Sequence, residues 1–140
     1  MKLVLSTIVV GIVLFLLGWL IYGILLTDFY KQYYGHITRP EADMKIWAYA
    51  VANFAQAFFL YLIYSKGYSG GSPFGEGFKF GIYIGFLLTI PYVFYTWGGM
   101  PVSYKGVIVD GIIMFVMTMI ASILTGIIHG KKAVLPAAGK

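Results

Sequence analysis

The chain has 140 residues, of which 60% are hydrophobic and only 11% are charged. Since a soluble domain carries about 25% charged residues, this composition excludes an ordinary soluble domain and predicts a single membrane domain over residues 1–140. Cysteine is absent, which excludes disulfides, thiolate metal sites and cysteine nucleophiles. The formal charge of +5 would suit nucleic acid, but the positions of the charges favour a membrane surface, and no nucleic-acid partner is expected.

The first predicted element is the apolar run at residues 3–26, which is long enough to cross a hydrocarbon layer of ~30 Å. A cleaved signal peptide is the alternative, since Lys2 precedes the run. The run is longer than a signal-peptide apolar region of roughly 7–15 residues, and no cleavage site with small residues follows it. We therefore expect an uncleaved transmembrane helix.

The second predicted element is a polar, aromatic loop at residues 29–38, whose tyrosines suit the headgroup zone of a membrane. Thr38 and Glu41 then have the spacing of a capping box, and the proline between them is tolerated in a first helical turn. The second helix is therefore predicted to begin near Arg39, outside the lipid, and to cross it over residues 46–64.

Two further spans are predicted at residues 76–97 and 105–128. The glycine-rich segment 66–75 is the loop before the third span, and Pro91 predicts a kink inside that span. The fold class is therefore an all-α integral membrane bundle of four transmembrane helices, with both termini on the same side. Residues 129–140 are predicted to form a basic tail.

Small residues recur every four positions on the third and fourth spans. On a helix this spacing makes a slanted stripe without side-chain bulk, which lets helices approach closely in a membrane. We expect these two spans to be antiparallel neighbours, with Gly81 facing Ser122 or Gly126. The stripes are Gly77, Gly81, Gly85 and Thr89 on the third span, and Thr118, Ser122 and Gly126 on the fourth.

The distribution of basic residues predicts the orientation of the bundle. Six Lys residues fall on the side with the termini, against four Lys and Arg residues on the other side. The positive-inside rule then places both termini in the cytoplasm. The basic side is also expected to attract anionic lipid headgroups.

Three groups of residues form a recognisable pattern: Gly18-Trp19-Leu20-Ile21-Tyr22-Gly23, then Tyr34-Gly35 with Thr38, Glu41 and Asp43, and finally Asp110-Gly111 after Val102 and Lys105. This pattern resembles the DUF1761 family of small four-helix bacterial membrane proteins of unknown function. The resemblance implies a four-helix membrane fold and a location in a bacterial inner membrane. It carries over no catalytic residue.

Among the polar residues, Asp110 is the strongest candidate for a functional residue, because an acidic residue inside a span is a functional candidate by default. A structural role is the alternative, since a helix N-terminus favours a carboxylate and Lys105 or headgroup water is within reach. We expect the structural role. A functional Asp110 would be a proton or cation site, partnered by Tyr92 or Tyr95.

Two amides and a lysine are further candidates. Asn53 and Gln56 share one face of the second span, where hydrogen bonds to neighbouring helices are favoured over ligand binding. Lys79 is expected to extend its ammonium to the membrane surface rather than to bind a substrate or a lipid phosphate.

The aromatic residues are explained by interfacial belts and lipid-facing packing. A pigment or quinone pocket near Tyr83, Phe86 and Tyr92 is the alternative. His36 and His129 are predicted on opposite sides of the membrane and cannot share a metal or haem. The sequence contains no metalloprotease, P-loop or dinucleotide motif, so no catalytic residue, metal or cofactor is predicted.

These observations favour a small non-enzymatic membrane protein that acts by helix packing, as an accessory subunit of a membrane complex or as a homo-oligomer. A carrier or channel for a small solute, ion or proton is the alternative, using Asp110, Asn53 and Gln56. A lipid- or isoprenoid-modifying enzyme is a third hypothesis, disfavoured because the sequence shows no acid–base pair or metal cluster.

Overall fold

The computed structural model describes residues 1–130, and most of the predicted basic tail at 129–140 lies outside this part. Four helices are long and apolar enough to cross a membrane, which confirms the predicted all-α bundle. The elements are α1 (Lys2–Leu20), a π-helical turn (Ile21–Leu25), α2 (Thr27–Tyr34), a 3-10 turn (Glu41–Asp43), α3 (Ile46–Gly67), α4 (Pro73–Gly99) and α5 (Tyr104–Gly130).

The start of α1 and the end of α5 lie at the same end of the bundle. The Lys2 ammonium donates a hydrogen bond to the His129 carbonyl oxygen at 2.6 Å. At that same end, α4 begins three residues earlier than predicted, because Ser72 caps it and Pro73 occupies its first turn. The helix contains Pro91 within its length, and the kink there stays a prediction.

The predicted loop at residues 29–38 is largely helical, which corrects that prediction. The helical backbone is interrupted at Leu26, and α2 then runs from Thr27 to Tyr34. Tyr30, Tyr33 and Tyr34 fall on one face at helical spacing, and this face packs on Val102 and Val107. The tyrosines of this segment therefore form a packed helix face, and their place at the headgroup level stays a prediction.

The predicted capping box at Thr38 and Glu41 is also wrong. The backbone of Pro40 is extended, with ψ at 148°, and only a short 3-10 turn follows it. Arg39 precedes a proline, which disfavours helical backbone at that position. α3 begins at Ile46 instead, with no side-chain cap, so the predicted crossing segment starts correctly and the predicted extension before it is absent.

The bundle is held together by contacts of α4 with α5, of α1 with α3, and of both α1 and α3 with α5. Its central apolar cluster joins α1, α3 and α5 and consists of Val10, Leu14, Ala57, Leu60 and Ala121. One glycine is required between α1 and α3, because a Cβ atom at Gly11 would lie 2.5 Å from the ring of Phe54.

The glycine stripe of α4 faces α5. A Cβ atom at Gly77 would lie 2.8 Å from the Ser122 carbonyl oxygen, and one at Gly81 would lie 3.1 Å from the Ser122 Cβ. At Gly85 the added atom would lie 2.7 Å from the ring of Phe115. A side chain at Gly77 would therefore collide with the backbone of α5, and one at Gly81 or Gly85 would displace side chains of α5.

The remaining stripe residues extend this contact in both directions. Thr89 approaches Gly111, where a Cβ atom would lie 3.2 Å from the Thr89 methyl carbon. A Cβ atom at Gly126 would lie 3.0 Å from the Cα of Gly77. Thr118 is fully buried on α5. The two predicted stripes thus lie along the α4–α5 interface.

Candidate functional site

Asp110 lies in the second turn of α5 and is only 8% exposed. Two glycines beside it bring other helices close. A Cβ atom at Gly106 would lie 2.9 Å from the Cβ of Tyr33 on α2, and one at Gly111 would lie 2.5 Å from Val93 on α4. Small residues on either side of Asp110 therefore let α2 and α4 pack directly against this part of α5.

The Asp110 carboxylate accepts hydrogen bonds from three tyrosine hydroxyls, each on a different element. Tyr22 in the π-helical turn donates to Oδ1 at 3.0 Å, and Tyr30 of α2 donates to the same oxygen. Tyr92 of α4 donates to Oδ2. Both carboxylate oxygens are therefore occupied by neutral donors, and one side chain connects α5 to three other segments.

The tyrosine rings hold one another in place around the carboxylate. The rings of Tyr22 and Tyr30 meet edge to face with centroids 4.7 Å apart. The rings of Tyr30 and Tyr34 are stacked at 5.2 Å. Edge-to-face and offset-stacked pairs are favourable beyond their burial, so ring packing helps to orient the donating hydroxyls of Tyr22 and Tyr30.

Tyr34 completes the group without contacting Asp110 directly. It is 6% exposed, and its hydroxyl has no hydrogen-bond partner within the described residues. This hydroxyl lies beside that of Tyr92. We refer to Asp110, Tyr22, Tyr30, Tyr34 and Tyr92 together as the Asp110 cluster.

Electrostatics keep the α2 tyrosines in their neutral form. Burial, the hydrogen bond to Asp110 and the charge of Asp110 all raise the pKa of Tyr30 far above its usual value. Burial and the charge of Asp110 likewise raise the pKa of Tyr34. Both hydroxyls therefore keep their protons at any physiological pH, and the Tyr30 hydroxyl donates to Asp110.

The other candidates for a polar site are not joined to this cluster by hydrogen bonds. The amide of Asn53 donates to the Tyr49 carbonyl oxygen of its own helix at 2.7 Å, which replaces the predicted bond to a neighbouring helix. Gln56 is half-buried on α3. Of the two predicted partners of Asp110, Tyr92 contacts it, whereas Tyr95 is 81% exposed.

The two histidines lie at opposite ends of the bundle. His36 hydrogen-bonds through Nε2 to the Pro101 carbonyl oxygen at 2.7 Å, near the end that carries α2. His129 hydrogen-bonds through Nδ1 to the Tyr61 hydroxyl at 3.1 Å. Within residues 1–130, no group of three or more His, Asp or Glu side chains is placed to hold a metal ion.

Lys79 lies at the end of the bundle opposite Asp110 and is exposed. It borders an open groove of about 250 Å³, with Glu76, Tyr64 and Tyr83 among the other lining residues. The Glu76 carboxylate is engaged by the preceding loop, accepting hydrogen bonds from the backbone N–H groups of Ser69 and Gly71. The ammonium of Lys79 is thus at the surface, as its long stem allows.

The three aromatic residues considered for a pigment or quinone pocket point in different directions. Tyr83 is exposed, Phe86 packs on Phe115 with ring centroids 4.9 Å apart, and Tyr92 points to Asp110. Of the three, Tyr83 alone borders the groove beside Lys79.

The sequence pattern alone does not single out Tyr22, Tyr30 or Tyr34 as site residues. The four-residue spacing of Tyr30 and Tyr34 is the one available signal, since it places both on one helix face.

Comparison of the chain with protein-family models, with curated proteins and with solved structures found no match. The geometry of the Asp110 cluster is therefore the basis for assigning a function.

Proposed function

We propose that this protein is a small, non-enzymatic integral membrane protein that acts by helix packing, as an accessory subunit of a membrane complex or as a homo-oligomer. The observation that carries the proposal is the hydrogen bonding of Asp110. Asp110 is the one buried charged residue within residues 1–130. Both of its oxygens accept hydrogen bonds from tyrosines of the same chain. The carboxylate therefore uses its hydrogen-bond acceptors to join helices of one chain, which supports a role in helix packing.

The outer surface of α3 supports an assembly role. Ala52 and Ala55 are exposed there, beside the half-buried amide side chain of Gln56. In lipid, small residues allow close helix approach and amides form hydrogen bonds between helices. This surface therefore offers a partner helix the same kind of contact that α4 and α5 make with each other.

The proposed location is a bacterial inner membrane, with both termini in the cytoplasm. The excess of Lys on the side with the termini supports this orientation. The resemblance to the DUF1761 family supports the bacterial location. Anionic headgroups on the basic side are the proposed lipid partners.

The mass of the assembly extracted in mild detergent tests the proposal. Native mass spectrometry of the tagged protein should give a species heavier than one chain. Ala52→Trp should reduce that species to the single chain, because it places bulk on the α3 surface. Ile8→Trp is the matched control on the exposed face of α1 and should leave the mass unchanged. A wild-type protein that is always a single chain without partners would contradict the proposal.

A carrier or channel for a small solute, ion or proton is the second candidate. The observation that favours it is the burial of an acidic side chain within a candidate span. Flux into proteoliposomes that depends on Asp110 would favour this candidate over the packing role, whereas equal flux in liposomes with and without the protein would reject it.

A further inference from the structure

The Asp110 cluster has an unusual balance of charge and hydrogen bonding. It brings together a carboxylate and four phenol hydroxyls, and every hydrogen bond that Asp110 accepts within the described residues comes from a neutral donor. A buried carboxylate without a cationic partner either keeps its charge through hydrogen bonds or takes up a proton. We propose that the Asp110 cluster is a reversible proton-binding site, in which the proton is held by an Asp110 carboxylate oxygen.

A proton fits this site better than a metal ion or an organic cation. Calcium takes about 6–8 oxygen ligands, whereas this cluster offers one carboxylate whose two oxygens are already occupied. An organic cation needs a cavity of roughly 300 Å³ or more. Two grooves of about 250 and 260 Å³ lie on the described part of the chain, and Asp110 lines neither of them. A proton requires no additional space.

Tyr34 supplies the hydrogen-bond partner that protonation requires. With Asp110 ionised, Tyr92 donates to Oδ2. When Oδ2 takes up one proton from water, the new O–H donates to the Tyr92 oxygen. The Tyr92 hydroxyl proton must then turn to another acceptor. The buried Tyr34 hydroxyl lies beside it and has a free oxygen lone pair. The carboxylate becomes neutral, and no hydroxyl loses its partner.

Four tyrosines surround Asp110. They are Tyr22 from the π-helical turn, Tyr30 and Tyr34 from α2, and Tyr92 from α4. The raised pKa values of Tyr30 and Tyr34 keep both neutral. Lys105 precedes Asp110 on α5 and is exposed. The hydrogen bonds that Asp110 accepts within residues 1–130 therefore all come from neutral hydroxyls.

Infrared titration of the protein in lipid vesicles tests the proposal. The chain has three aspartates, and Asp28 and Asp43 are exposed. Isotope-labelled aspartate in the Asp28→Asn, Asp43→Asn double variant therefore reports on Asp110 alone. We expect a labelled carboxylic-acid C=O band that grows on acidification and disappears on return to alkaline buffer.

Single-hydroxyl variants distinguish this site from an isolated carboxyl. Tyr30→Phe or Tyr92→Phe removes a donor to the carboxylate, and should move the midpoint of the band to higher pH by about 1–2 units. Tyr33→Phe lies on the same helix, donates no hydrogen bond to Asp110, and should leave the midpoint unchanged. A labelled carboxyl that stays in one protonation state across the titration, or a midpoint unaffected by Tyr30→Phe and Tyr92→Phe, would overturn the proposal.

Discussion

Gly77 and Gly126 meet across the α4–α5 interface so closely that a Cβ atom at Gly126 would lie 3.0 Å from the Cα of Gly77. The same added atom would also collide with the Pro73 carbonyl oxygen. Backbone atoms therefore touch backbone atoms at this crossing. In a membrane, where apolar side chains gain little by leaving lipid, such contacts are a main source of helix association.

Gly81→Leu should destabilise the bundle. Its side chain would enter the space held by Met119 and Ser122, whose nearest atoms lie 2.8 and 3.1 Å from a Cβ at this position. We expect the free energy of unfolding to fall by about 1–3 kcal/mol, as in other overpacked interiors. Gly98→Leu is the matched control on the same helix, because nothing lies within 4 Å of its Cβ position. Thermal unfolding in detergent measures both variants. Equal melting temperatures for the two would show that this stripe does not lie in the packed interface.

Tyr30→Phe should loosen α2 while leaving the four spans in place. The change removes one hydroxyl donor from the Asp110 carboxylate, and a hydrogen bond to a charged group contributes about 1.5–3 kcal/mol. Limited proteolysis in the segment Thr27–Tyr34 should therefore become faster. Tyr33→Phe, on the same helix, keeps the Asp110 hydrogen bonds and should be cleaved at the wild-type rate. Faster cleavage of both variants would point to a general effect of losing a phenol.

The orientation of the chain can be measured with inserted reporters. A reporter active only in the cytoplasm should work at Gly71, between α3 and α4, and fail at Arg39, between α2 and α3. The reason is the excess of Lys on the Gly71 side of the bundle. Activity at Arg39 and not at Gly71 would mean that the bundle is inserted in the reverse sense.

The four spans could be predicted from the sequence because each apolar run is long enough to cross a membrane by itself. The position of Gly81 against Ser122 follows from the four-residue spacing together with the short connection between α4 and α5. These features depend on one helix, or on two helices that are adjacent in the chain. The positions of the spans and of Gly81 against Ser122 therefore depend mainly on nearby sequence.

The Asp110 cluster could be predicted only in part, because it depends on segments far apart in the chain. Tyrosines at a span end suit the headgroup zone and a buried hydrogen bond equally well. Tyr22 lies in the π-helical turn Ile21–Leu25, which inserts a wider turn and changes the direction of the side chains that follow it. A regular helical periodicity cannot foresee that change, so the sequence linked Asp110 to Tyr92 but not to Tyr22 or Tyr30.

Hydrogen–deuterium exchange of α2 in lipid nanodiscs tests the central claim, that Asp110 fastens this helix to the bundle. Asp110→Leu removes the acceptor of three tyrosine hydroxyls, each costing about 1–3 kcal/mol if left unpaired. Asp110→Asn keeps a carbonyl acceptor and the side-chain shape. We predict that the amides of Thr27–Tyr34 exchange about tenfold or more faster in Asp110→Leu and near the wild-type rate in Asp110→Asn. Equal exchange in wild type and Asp110→Leu would contradict the claim.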